Sequence, residues 1–275
     1  MKINKLFDLS GRVAVITGGA GLLGEQHAEV IAEAGGHPVL ADINEKEAMK
    51  KAREISKRYH VDTLGIGTDI TKRVEVEALL VEVLKKFGRI DILINNAAND
   101  PKAAPGMDAS WLRLENFPVE LWNQDIAVGL TGALLCSQVI GGEMAKRGRG
   151  VILNISSDLG IIAPDHRIYA KPGLPAEKQP VKPVSYSVVK HGLIGLTKYL
   201  ATYWADKNIR VNAICPGGIQ TNQPDDFVTK LSNLIPLGRM AKKDEYKGAI
   251  LFLVSDASSY MTGAALIIDG GRTCR

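Results

Sequence analysis

The run Val13-Ala14-Val15-Ile16 followed by Thr17-Gly18-Gly19-Ala20-Gly21-Leu22-Leu23-Gly24 constrains this chain more than any other stretch. An apolar run of strand length gives way to a glycine-rich turn, and the residues from Glu25 to Ala34 then read as a helix. In such a strand, turn and helix the backbone can approach a pyrophosphate closely, and the ligand's charge rests at the positive helix N-terminus. The next strand-like run, His37-Pro38-Val39-Leu40-Ala41, ends in Asp42, placed to accept hydrogen bonds from an adenosine ribose. The competing reading of Asp42 is a helix cap or an ordinary loop carboxylate. Ile43 follows and no cation adjoins. A 2′-phosphate there would meet a like charge with nothing to offset it, which predicts NAD in preference to NADP.

Further β-type runs at 64–66, 90–94, 150–155, 209–214 and 265–268 alternate with helix-like segments. With those at 13–16 and 38–41 they predict an α/β fold: a Rossmann-type, doubly wound, seven-stranded, mostly parallel sheet with helices on both faces. The near-continuous apolar character of Val151-Ile152-Leu153-Asn154-Ile155 suits a strand covered on both sides. A hydrophobic content of 45% in 275 residues is enough for one large core, and residues 1–275 read as one domain. The net charge of +4 is spread along the chain, without the dense basic block that nucleic acid or an anionic membrane would call for. Cys136, Cys215 and Cys274 are scattered, without metal-ligand spacing, so no metal site is expected. The polar start does not resemble an export signal and no apolar run reads as a bilayer span, so a cytoplasmic location is the expectation.

Chemistry enters with Tyr186-Ser187-Val188-Val189-Lys190. On a helix, residues four apart lie on one face, so a phenol and an ammonium stand one turn from each other. A cation beside a phenol favours phenolate, which makes an acid–base tyrosine. The segments Asn95-Asn96-Ala97-Ala98, Ser156-Ser157 and Cys215-Pro216-Gly217 each follow a predicted strand, so they converge with this pair at the carboxyl edge of the sheet.

Thr17 to Gly24, Asn95 to Ala98, Ser156-Ser157, Tyr186 to Lys190, Pro216-Gly217 and Asp269-Gly270-Gly271 stand in an order that resembles the short-chain dehydrogenase/reductase family, from about Ser10 to Gly271. The resemblance implies an NAD-dependent oxidoreductase that moves a hydride between a secondary alcohol carbon and nicotinamide. It implies that Ser157, in Ser157-Asp158-Leu159-Gly160, orients the substrate oxygen, that Tyr186 exchanges the hydroxyl proton, and that Lys190 tunes the tyrosine and holds the nicotinamide ribose. Ser156 is the competing serine, read as a strand-end residue bonded to backbone. The resemblance further implies a cofactor lining of Thr17, Gly18, Gly21, Leu23, Gly24, Asp42, Asp69, Ile70, Asn95, Asn96, Ala97, Tyr186, Lys190, Pro216, Gly217 and Ile219. Asp69 can instead cap the helix starting near Lys72, and Asn95 can satisfy strand-end backbone. His191, about 100° around the helix from Lys190, reads as a packing or surface residue.

Three departures from the family pattern stand out. Gly129, in Asp125-Ile126-Ala127-Val128-Gly129, occupies the place of an asparagine that often completes a proton relay, so water or a backbone carbonyl is expected to replace it. Leu22 stands where a glycine is common, with Gly21 beside it. The stretch 158–185 between serine and tyrosine is extended by an insertion at about 161–184, rich in proline and carrying His166, Arg167, Lys171, Lys178 and Lys182. A loop of this length is more often functional than idle. The expectation is that it folds over the substrate and meets an anionic group, with Trp111 and Arg113 in 99–118 as a second wall. The whole resembles members acting in bacterial surface-glycan and nonulosonate pathways, which implies a nucleotide-activated sugar as substrate. An acyl-thioester carbonyl or a non-catalytic NAD-binding role are the alternatives. A homo-oligomer, tetramer or dimer, is expected through 122–144 and 185–206.

Overall fold

Parallel pairing brings the carboxyl ends of all strands to one edge, and this sheet is parallel throughout. The computed structural model describes residues 2–101 and 108–274. Its strands are β1 (Val13–Thr17), β2 (His37–Asp42), β3 (Leu64–Gly67), β4 (Ile92–Asn95), β5 (Gly150–Ile155), β6 (Ile209–Pro216) and β7 (Ala265–Ile268). They lie in the order β3-β2-β1-β4-β5-β6-β7. The chain runs outward from β1 to β3 and then crosses to place β4 on the other side of β1, so the strand order reverses between β1 and β4. A crevice opens at such a point. Register brings Asn95 level with Asn154, and Pro216 level with Ile268.

The seven predicted strands are all present. β4 starts two residues later than its apolar run, because the Asp91 carboxylate accepts the Val13 N–H at 2.9 Å and is held by Arg89. β1 and β5 are buried along their whole length, as strands covered on both faces must be. One core packs the helices Leu22–Glu33, Glu45–Tyr59 and Lys247–Val254 onto one face of the sheet. The other lies under Arg73–Phe87, the helical run 119–147 and Val184–Tyr203.

The run Val119–Arg147 is continuous through two π-helical segments, Ala127–Thr131 and Ser137–Gly141. It is long and apolar enough by composition to cross a membrane, which the sequence reading did not anticipate. Its apolar face is spent on the sheet, where Cys136, Ile140 and Met144 are fully buried. The insertion carries only short 3₁₀ turns at His166–Tyr169 and Ala176–Lys178, as its prolines dictate. It is anchored by Ile168, buried with Leu231, Ile235 and Met240, and by Tyr169 against Phe227.

Candidate active site

The glycine turn is shaped by close approach. Gly18 has a left-handed φ of 60°, and a Cβ there would come within 2.9 Å of the Ala97 Cα. A Cβ at Gly24 would strike the Gly18 carbonyl oxygen, so the helix Leu22–Glu33 seats directly on the turn. Thr17 ties the turn to the end of β4: its Oγ1 accepts the N–H groups of Asn96 and Ala97 at 3.0 and 3.1 Å. Asn96 returns two bonds, to the carbonyls of Thr17 and Gly18. The N-cap of the helix is Gly21, with no side-chain acceptor, so the first-turn N–H groups are unanswered by any cap and Leu23 lies half-buried behind them. Asp42 closes the far side, accepting the N–H groups of Ala20 at 3.0 Å and Asn44 at 2.9 Å. Backbone donors at a helix start and a carboxylate at the next strand end fit a dinucleotide.

Two residues of the implied lining have their side chains engaged within the protein. The Asp69 carboxylate accepts both the hydroxyl and the N–H of Thr71 and pairs with Lys72 ahead of the helix Arg73–Phe87 without capping it; these bonds hold its carboxyl below the usual range. The Ile70 side chain is buried against Gly132 in the core. On the opposite wall Pro216 ends β6, and a Cβ at Gly217 would come within 2.9 Å of the Asp269 Cα. Ile219 bridges to Ala241.

At the end of β5 the two serines separate as expected. Ser156 Oγ donates to the Lys190 carbonyl at 2.7 Å, a backbone duty, whereas Ser157 turns toward Tyr186. Ser157 Oγ donates to Asp158 Oδ1 at 2.7 Å and accepts the Leu159 N–H. Asp158 is in turn paired at 2.6 Å with Arg272 from the C-terminal segment, and both side chains are almost wholly buried. Lys190 Nζ donates to the Ile155 carbonyl at 2.8 Å and lies 5.6 Å from the centroid of the Tyr186 ring. His191 bonds the Ser187 carbonyl from an exposed position, away from the pair.

The electrostatics depart from the expected tuning. Burial pushes the Tyr186 phenol up to about 12, opposed by the Ser157 hydroxyl and reinforced by Asp100 and Asp158. Burial likewise lowers the Lys190 ammonium to about 8, with Lys182 acting in the same direction. Desolvation wins because the ammonium is spent on a backbone carbonyl rather than on the phenol.

Gly129 brings a second correction. A Cβ there would meet Val189 Cγ1 at 2.5 Å, so an apolar side chain packs directly against Gly129 where a family asparagine would need room. The same helix does touch the site one turn earlier. Buried Asp125 accepts the Ser185 hydroxyl, next to Tyr186, and locks the start of Val184–Tyr203 in place. Sequence reasoning missed Asp125, Ser185, Asp158 and Arg272. Asp125 and Gly129 are one turn apart, which is the only local signal; Arg272 has none.

Of the insertion's cations, Arg167 is 87% exposed and neutralised by Asp165, and Lys171 is exposed. Neither reaches the crevice. Lys182 does: its Nζ lies 3.6 Å from the Tyr186 ring centroid and 2.7 Å from Asp100 Oδ1. Arg113 donates to the Ala176 carbonyl at 2.9 Å and so joins the second wall to the insertion. Part of that wall, 102–107, lies outside the described residues.

A doubly wound sheet with a glycine turn at its switch point, and a serine, tyrosine and lysine at the neighbouring strand ends, defines a nucleotide-dependent oxidoreductase. The chain belongs to the short-chain dehydrogenase/reductase family. The short chain dehydrogenase model matches residues 12–170, and the model described as enoyl-(acyl carrier protein) reductase matches 175–273. The chain is 35% identical to the NAD-dependent glycerol dehydrogenase of Listeria innocua, over 99% of this chain and 98% of that protein. It is 35% identical to the NADP-dependent mannitol dehydrogenase of Alternaria alternata, over 100% and 97%. The crystal structure of a gluconate 5-dehydrogenase from Burkholderia cenocepacia, in complex with NADP and tartrate, superposes with a TM-score of 0.85 at 30% identity, covering 99% of each chain. The protein is an NAD(P)-dependent oxidoreductase acting on a CH–OH group.

Proposed function

We propose that the protein oxidises a secondary hydroxyl of a small polyol or sugar acid with NAD, and reduces the matching ketone in reverse. The observation that carries this reading is the placing of Ser157, Tyr186 and Lys190 together beside the glycine cradle. The substrate class rests on the relatives, which act on glycerol, mannitol and gluconate. A nucleotide-activated sugar finds no support among them. Nor does the geometry ask for one, since Arg167 and Lys171 point to solvent.

In this reading a bound nicotinamide ring supplies the hydride acceptor. Tyr186 Oη takes the hydroxyl proton, Ser157 Oγ orients the substrate oxygen, and Lys190 holds its side of the crevice. Ser157 Oγ donates to Asp158 and accepts the Leu159 N–H; to orient the substrate oxygen it turns its own proton to that oxygen, because the single hydroxyl proton of the substrate goes to Tyr186. Asp42 supports NAD as the preferred cofactor: its carboxylate stands where a 2′-phosphate would be repelled, next to the 79% exposed Ile43. A panel of polyols mixed with NAD and, separately, NADP tests the proposal by the absorbance of the reduced cofactor. Turnover confined to NADP, or to none of glycerol, mannitol, threitol and gluconate, would count against it.

A further inference from the structure

Tyr186 has a lysine four residues after it, Lys190, and another four residues before it, Lys182. The two are held differently. Lys190 is on the same helix and turns its ammonium to the Ile155 carbonyl. Lys182 belongs to the insertion, just ahead of the N-cap residue Pro183 of Val184–Tyr203, and so cannot reach Tyr186 through helical spacing. It arrives from outside and sets its ammonium on the ring face, 3.6 Å from the centroid, nearer than Lys190 at 5.6 Å. The Lys182 side chain is only 12% exposed, and its Nζ also meets Asp100 Oδ1, from the segment after β4, at 2.7 Å.

We propose that Lys182 and Asp100 form a charge couple that positions Tyr186 and sets its ionisation, so that the insertion, by laying Lys182 on the ring, arms the acid–base tyrosine. Ionising a phenol spreads negative charge into its ring, so a cation over the face attracts phenolate more than phenol. Asp100 does the opposite, raising the Tyr186 phenol. Among the described residues, the other charged or titratable groups around the tyrosine are Lys190 on its own helix, Tyr169 in the insertion, and Asp158 with its partner Arg272. Asp158 is already paired, and Lys190 is engaged with backbone. The Lys182–Asp100 couple is built from the insertion and the crevice wall rather than from the helix.

This inference rests on the acid–base role of Tyr186, and two readouts keep the two ideas apart. The first is the pH profile of kcat/KM for oxidation of glycerol or mannitol with NAD. The second is the titration of Tyr186 in protein labelled with ¹³C at the tyrosine ring, with and without NAD, its signal assigned by its loss in Tyr186→Phe. In Lys182→Gln the acid limb and the titration midpoint should both move up by about one pH unit, a tenfold loss at fixed pH on the limb. Asp100→Asn should move them down, Lys182→Arg should stay near the parent, and NAD affinity should hold within about twofold throughout. Opposite shifts from the two partners of one ion pair are what a merely structural contact does not give. Shifts in the same direction, or an unmoved midpoint, would overturn the proposal. If Tyr186→Phe keeps its turnover while the midpoints still move as expected, the catalytic reading falls and the charge couple stands.

Discussion

Tyr186, marked by the pattern Tyr-x-x-x-Lys, is the residue proposed to carry the chemistry. Replacing Tyr186 by Phe keeps the ring and removes the proton carrier, so kcat should fall by roughly 10²- to 10⁴-fold, with NAD binding measured by fluorescence titration nearly unchanged. Because burial raises the phenol to about 12, oxidation by the parent protein should accelerate with rising pH across the neutral and mildly alkaline range, as more phenolate forms. Ser157→Ala should be far more damaging than Ser156→Ala, since only Ser157 faces the phenol while Ser156 is bonded to the Lys190 carbonyl. The ordering is read from kcat/KM of the two variants. At Asp42, Asp42→Ala should narrow the ratio of NAD to NADP affinity by about ten- to a hundredfold, the size of a lost charge-assisted bond or a relieved repulsion.

The helical run Val119–Arg147 and the helix Val184–Tyr203 meet where a glycine faces a branched side chain. Gly129→Asn, which would restore the residue type the family often has there, should destabilise rather than improve the protein. Its Cβ would overlap Val189, a stiff β-branched side chain next to Lys190, at a cost of about 1–3 kcal/mol. Adding Val189→Ala should recover most of that loss in a denaturant melt. If Gly129→Asn alone is as stable as the parent, Val189 does not define this contact. The Asp125–Ser185 bond joins the same two helices beside Tyr186, so this packing and the catalytic geometry are coupled.

Across the whole molecule, the C-terminal segment is stitched into the site by the buried Arg272–Asp158 pair. Arg272→Leu leaves a buried carboxylate without its cation and should cost about 3–5 kcal/mol in unfolding free energy, whereas Asp158→Asn combined with Arg272→Leu should cost clearly less. Equal losses in the single and double variants would mean that packing of the arginine stem, not charge, carries the effect. Tyr199 and Tyr203 stack on each other while 62% and 61% exposed on Val184–Tyr203, the helix predicted to join subunits. Placing a glutamate at Tyr199 should leave a self-associating protein smaller by light scattering, and an unchanged mass would remove this face from any subunit contact.

Sequence alone determined what depends on neighbours along the chain. The apolar runs produced seven strands, the glycine turn had its helix, and Tyr186 with Lys190 fell one turn apart, because period and spacing are local properties. The strand-end duty of Ser156 was legible for the same reason, and its hydroxyl goes to the Lys190 carbonyl. What the sequence left hidden depends on residues far apart in the chain. Asp69 and Ile70 spend their side chains on Thr71 and on the core, and Val189 fills the space beside Gly129. Arg272 reaches Asp158, 114 residues earlier in the chain. The insertion announced five cations, yet only packing decided that Arg167 and Lys171 face water while Lys182 lies on the tyrosine ring. Charges and shapes meet there only once the sheet has closed, and burial then sets the phenol and the ammonium against the direction their spacing implied.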